Sequence, residues 1–349
     1  MKTRNTGNYI YISLLVVFII PLFSQEKPET STEKPDTTKP KITLESLTKS
    51  SKLFKGMFEF YQDTLNGSLQ MLIKKDQLNK EFIHFVHTLD GVVDVGHFRG
   101  AYKSSKIFEI RKYFNRVEFI AINTSYYFDT NNPLSKASKA NINESVLASV
   151  EILHKDEKTE SILIKADDIF LSESLYQIKP APNPNIKPGM RFSLGSLNKK
   201  KCQYVSINNY PLNSDVAVKY VFDNPMPMNR GGPGITDPRS VNLVIQHSFI
   251  EVPENNYTPR YDDQRVGYFM TQITDMTSVD NVPYKDVIHR WDLQKKYPEL
   301  PISEPVKPIT FWIENTTPVE FRGAVKEARS ARGGGSLCTT EAAPHAGSA

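Results

Sequence analysis

The sequence predicts a mainly β body, an antiparallel sheet in sandwich or meander form with few short helices, and three observations carry that prediction. From Gly56 onward the apolar residues recur with period two, the repeat of a strand with one buried face. Tyr and Phe contribute 16 and 19 residues, and aromatic side chains suit a pleated, half-buried surface. Clusters of Gly, Pro and Asn separate the alternating runs, whereas helical periods are short and rare. With 39% of its 349 residues hydrophobic and 23% charged, the chain can bury a core, which excludes disorder throughout.

Residues 1–24 carry a signal-peptide pattern: Lys2 and Arg4 precede an apolar run from Tyr9 to Ile20 that only Ser13 interrupts. The run is about a dozen residues, against the roughly 20 that a membrane-spanning helix needs. Export with removal of this segment is therefore the expectation, placing the protein in the periplasm, on the outer surface or outside the cell. An uncleaved anchor, the one case that brings in a membrane, is the alternative, because Phe23 and Ser24 make an untidy cleavage site. Residues 25–42 hold three prolines, balanced charges and one apolar residue, too little to offset the entropy of ordering, so a disordered linker is expected.

Residues 43–98 read as a small β domain. Glu45 to Leu53 suits a short amphipathic turn, and Phe58 and Phe60 alternate with Glu59. Asn66 and Gly67 then turn the chain before Leu69, Met71 and Ile73, so a hairpin is the first clear feature. Residues 99–300 read as a β-rich middle domain. Phe108 and Ile110 oppose Ile107, Glu109 and Arg111, and Val117 and Phe119 oppose Glu118 and Ile120. Val216, Val218, Tyr220 and Phe222 share one face, and Val241, Leu243, Ile245 and Phe249 share another. The proline-rich run 179–189 and the glycine-rich run 229–234 are loops. In the second, no Lys-Ser or Lys-Thr follows the glycines, so a phosphate cradle is not indicated. Residues 301–328 end in a helical pattern from Val319 to Ala328. Residues 329–349 turn abruptly to Gly, Ala, Ser and Arg without periodicity, and a disordered tail is expected there.

Charge and chemistry exclude several functions. The net charge of +4 falls to roughly one on the body once Lys2, Arg4 and the tail are set aside, too little for a nucleic-acid footprint. Cys202 and Cys338 cannot make a disulfide scaffold, and no structural zinc spacing occurs. His84 and His87, three apart on a strand, point to opposite faces and cannot share a metal. His247 continues the apolar face of the Val241 run as a satisfied, half-buried histidine. Cys202 follows Lys199, Lys200 and Lys201, whose positive field could lower its pKa, but no base accompanies it. No catalytic residue, no metal ligand set and no small-molecule cofactor is therefore assigned. The densest polar cluster is Arg260 to Phe269, where Asp262 and Asp263 lie between Arg260 and Arg265. It suits a turn with locally paired charges, or a latency or interdomain contact.

At this cluster the chain resembles the amino-terminal region of secreted bacterial zinc-dependent metalloproteases of the metzincin type. Gly56 to Tyr61 with Leu69 to Ile73 resembles the first accessory domain. Ser193 to Ser196 and Val241 to Val252 resemble the middle one, followed by Tyr261 to Phe269, Arg290 to Leu293, and Ser303 to Pro308 running into Ile309 to Ile313. The resemblance implies that Ile309 to Ile313 is the opening strand of the protease domain. It also implies that Pro318 to Ala328 begins that domain's first helix, and that the zinc-binding His-Glu-x-x-His, absent here, comes later. The expected function is thus a non-catalytic accessory region that chaperones or covers the parent's protease domain, inactive alone, with zinc belonging to that domain. In some zinc proteases an upstream carboxylate can hold the zinc latent, a role open to Asp262 or Asp263. The alternative is a free-standing secreted sandwich that binds glycan or protein through Tyr126, Tyr127, Trp291 and Trp312.

Overall fold

The computed structural model describes residues 43–311, 313 and 316–330. The expected signal segment, the linker and the tail from residue 331 lie outside them, as does Trp312. The fold is mainly β, with 38% strand against 12% helix. A short α1 (Leu44–Thr48) is closed by a Thr43 capping box. It is followed by β1 (Ser51–Phe54), β2 (Glu59–Asp63), β3 (Leu69–Ile73), β4 (Glu81–Asp90), β5 (Tyr102–Tyr113), β6 (Arg116–Ala121) and β7 (Tyr126–Tyr127). Then come β8 (Ser145–Lys155), β9 (Ile162–Lys165), α2 (Asp167–Phe170), β10 (Ser196–Leu197), β11 (Gln203–Asn209), β12 (Asn213–Asp223) and β13 (Ser240–Glu251). β14 (Met270–Asp275), β15 (Tyr284–Ile288) and α3 (Val319–Ser330) complete the chain.

Twelve strands form one sheet in the order β1-β2-β3-β9-β8-β6-β5-β4-β13-β12-β10, with β11 also on β12, and every pairing in it is antiparallel. The expected hairpin is β2 and β3, whose loop is held by Asp63 Oδ1, which accepts from Leu65 N at 2.7 Å and Asn66 N at 3.1 Å, and by Gly67 at φ +75°. The sequence boundary at residue 98 falls within this sheet, because β4 pairs with β5 on one side and β13 on the other. Residues 43–98 supply four of the strands of this sheet, and the core they face is completed by residues beyond position 98.

Register shifts in the β4–β5, β6–β8 and β8–β9 pairings mark bulges that bend the strands. The sheet curls until it is nearly a barrel. The seam is closed by side chains as well as backbone: Met57 N donates to Tyr210 O at 2.7 Å, and Asn209 Nδ2 donates to Phe54 O at 2.9 Å and to Phe58 O. Ser214 Oγ donates to Asn209 Oδ1 at 2.6 Å and holds the amide in this orientation. Gly56 is required here, since a Cβ would sit 2.2 Å from Asn209 Oδ1.

The alternation read from the sequence now has its partner surface. Phe58, Phe60, Phe82, Phe108, Phe119 and Phe249 turn inward with Val216, Val218, Tyr220 and Phe222, all buried. Phe108 and Phe249 ring centroids are 4.9 Å apart, and Phe58 and Phe82 are 5.1 Å apart. α2 and the following Leu175, Ile178, Phe192 and Leu194 cover this interior. The β15-β14-β7 sheet stands apart, with β14 and β7 parallel.

Three expectations are corrected. The turn over Glu45 to Leu53 is helical only to Thr48, and Leu53 belongs to β1, where it lies opposite Tyr61. Residues 309–311 and 313 form no strand, since no neighbouring strand offers them a ladder. α3 begins at Val319 as expected but continues to Ser330, two residues into the segment assigned to the tail.

Candidate functional site

The Arg260 to Phe269 cluster lies beside β15. Ile288 N donates to Arg260 O at 3.0 Å and Asp262 N to Asp286 O at 2.8 Å, so this segment borders the small sheet. Asp263 then closes a turn: its Oδ1 accepts from Arg265 N at 3.0 Å and Nε at 2.8 Å, and its Oδ2 from Nη2 at 2.7 Å. The Arg265 guanidinium, with that backbone N–H, draws the Asp263 carboxyl down to about 2. Of the four cluster residues, the structure therefore joins Asp263 to Arg265 side chain to side chain. Arg260 and Asp262 enter through their backbone, and the Asp262 carboxylate points to solvent with no bond to another side chain.

Around this turn the surface is apolar and aromatic. The small sheet is anchored by Asp275, whose Oδ2 meets Lys285 Nζ at 2.8 Å and whose Oδ1 accepts from Thr277 Oγ1 at 2.6 Å. The Lys285 ammonium and Thr277 hold that carboxyl at about 2. On one face, Tyr126 lies beside Thr274, which lies opposite Tyr284, and Gln272 Nε2 donates to Asp286 Oδ1 at 3.1 Å. The Arg290 guanidinium sits 4.3 Å over the Tyr257 ring and donates through Nη2 to Thr258 O at 2.8 Å. After Phe249, Ile288 is the one buried apolar side chain among the described residues. Phe269 is 88% exposed and Trp291 62%, and more than half of the exposed large apolar side chains among the described residues lie between Tyr261 and Val325. Exposed apolar side chains concentrated in one stretch are what an interaction segment presents.

The remaining sequence candidates sort by burial. His84 and His87 take opposite faces of β4 as expected, the first buried and the second half-buried. His247 is fully buried rather than half-buried, because β13 lies between β4 and β12 inside the curled sheet. Sequence reasoning missed that His247 reaches both flanking strands. Its Nδ1 lies 3.0 Å from His84 Nε2, and its Nε2 lies 2.8 Å from Tyr220 Oη, which donates to Phe170 O at 2.6 Å. The only available signal was that both histidines interrupt otherwise apolar faces. Burial drives the His247 ring down to about 3 and His84 well below its usual value. Cys202 is corrected as well: burial pushes its thiol up, against the backbone contact and the Lys199 charge that pull it down. In the glycine-rich loop, Gly231 N donates to Asn229 Oδ1 and Gly232 N to Asp94 Oδ1, each at 2.8 Å, so both amides already have acceptors.

Among the described residues no group of three or more His, Cys, Asp or Glu is placed to hold a metal ion, and no helix is long and apolar enough to cross a membrane. Compared with known families, residues 102–296 match the one described as Domain of unknown function (DUF5117). No curated protein and no solved structure matches the chain.

Proposed function

Because the chain belongs to the DUF5117 family, a description that assigns no activity, we propose from its own surface that it is a non-catalytic accessory module of an exported zinc-dependent metalloprotease. Its apolar face from Tyr261 to Val325 packs against the parent's protease domain, chaperoning or covering it. The single observation that carries this reading is the concentration of exposed aromatic and aliphatic side chains in that stretch. The resemblance of the same stretch to the join between accessory and protease domains supplies the partner. On this reading zinc belongs to the partner domain.

The test is calorimetric titration of residues 43–328 with the parent's protease domain. Binding is expected, and Phe269→Asp with Trp291→Asp is expected to abolish it while circular dichroism stays unchanged. No binding by the unaltered chain sinks the proposal. Within this reading Asp262, the cluster's unpaired carboxylate, is the group able to reach the partner's zinc in the position that water takes during catalysis. Asp262→Ala in the intact, unprocessed parent is then expected to raise peptidase activity, and unchanged activity removes the latency role.

A second reading, glycan binding, is favoured by the row of Tyr126, Thr274 and Tyr284 beside the Gln272–Asp286 pair. A glycan array with Tyr126→Ala and Tyr284→Ala as controls separates the two.

A further inference from the structure

The hydrogen-bond chain in the barrel runs in one direction only. A carbonyl can only accept, so the single Tyr220 hydroxyl proton points to Phe170 O, and toward His247 the phenol oxygen accepts. His247 therefore carries its proton on Nε2, and its bare Nδ1 accepts from His84 Nε2–H. His84 Nδ1 is then a bare lone pair, fully buried and without a partner. Both rings are neutral, and one site is left where a proton can be added.

What faces that site decides the outcome. The Phe108 and Phe249 rings approach His84 edge-on at 6.4 and 5.5 Å. From β5, Lys106 lies opposite His84 in register, and β4 itself carries His87; both oppose positive charge on the pair. From β12 and β11 come Tyr220, Tyr204 and the neighbouring Cys202 thiol, none of them anionic. On the α2 side, Asp167 already accepts from Leu69 N at 2.8 Å and Tyr204 Oη at 2.9 Å, and Asp168 acts on Tyr204 beside it. Glu173 accepts from Ile178 N at 2.9 Å and Lys179 N at 2.8 Å. Among the described residues no carboxylate is in contact with the imidazole pair to balance a proton.

We propose that the barrel interior is an acid-operated release: His84 Nδ1 can take up a proton only as the chain opens, so falling pH favours the opened form and frees the α2 segment that Tyr220 ties to the barrel through Phe170. Nothing in this device depends on what covers the outer apolar face. The sign follows from burial. Both rings bind protons less readily folded than unfolded, so stability is complete above the ordinary histidine range and falls as pH drops through it. At pH 5, about 1.5 units below that range, two such rings lower the folding equilibrium about 10³-fold, while most carboxylates of the unfolded chain are still ionised.

The experiment is urea unfolding of the full chain at pH 7.5 and pH 5, with limited proteolysis of the 167–195 segment at both. A drop of at least about 10³-fold with early cleavage in that segment is expected, and His84→Gln, which keeps a donor toward His247, should lessen the drop about 30-fold. Unchanged stability between the two pH values, or an undiminished drop in His84→Gln, overturns the proposal. If that variant does not fold, imidazole nitrogen NMR of the unaltered protein decides: both rings should stay neutral in the folded state at pH 5. A folded-state titration near 6.5 overturns the proposal equally.

Discussion

Phe249 is the residue on which the interior turns: its ring lies within 4.9 to 6.4 Å of Phe58, Phe108, Phe119, Phe170 and His84. Phe249→Ala leaves a cavity that rings from β4, β5, β6, α2 and the bend before β2 cannot all close, so a loss of about 3–5 kcal/mol is expected in urea unfolding. Asp263 is the opposite case, a fully exposed carboxylate whose partner is two residues away. Carboxyl NMR should find it ionised down to about 2, and Arg265→Ala should return it to the ordinary aspartate range with the melting temperature unchanged. Residues alike in sequence prominence therefore differ in consequence, because one is surrounded by core and the other by water.

Among the elements, the seam between β1 and β11 is where the sheet depends on a side chain. Asn209 supplies the donor for Phe54 O and Phe58 O in place of a continuous ladder. Asn209→Ala leaves both part-buried carbonyls without that donor, and a destabilisation of about 2–3 kcal/mol is expected by chemical denaturation. Gly56→Ala should cost at least as much, since its new methyl group meets the Asn209 amide. The ends of the chain behave differently. α3 presents Val319, Phe321 and Val325 to solvent, so removing it should leave the barrel's unfolding transition unchanged while weakening capture of the proposed partner.

For the whole molecule, a sealed core and an uncovered outer face give opposite expectations for chemistry and binding. Purified residues 43–328 should hold no stoichiometric zinc by metal analysis and should hydrolyse neither casein nor gelatin, since a catalytic zinc needs about three protein ligands in one place. One tightly held zinc per chain, lost on changing a histidine pair, would contradict this. The uncovered apolar face should make the isolated body prone to self-association, visible as a concentration-dependent mass in light scattering, which Phe269→Asp with Trp291→Asp relieves.

Period-two alternation is a local property, so the runs at Phe108, Val117, Val216 and Val241 are legible as strands from sequence, and each occupies its expected inward face. The sequence also located the hairpin, the loops at 179–189 and 229–234, the start of α3, and the local turn that Asp263 and Arg265 make. It could not determine that β4 lies between β5 and β13, or that residues before and after position 98 share one core. Strand order depends on contacts between residues more than a hundred positions apart, which alternation does not encode. For the same reason His84 and His247 read as separate strand histidines. The fold brings them to 3.0 Å, half-buries the Cys202 thiol beside its lysine neighbours, and leaves the apolar side chains from Tyr261 to Val325 exposed. Burial and pairing are settled by what the rest of the chain places alongside.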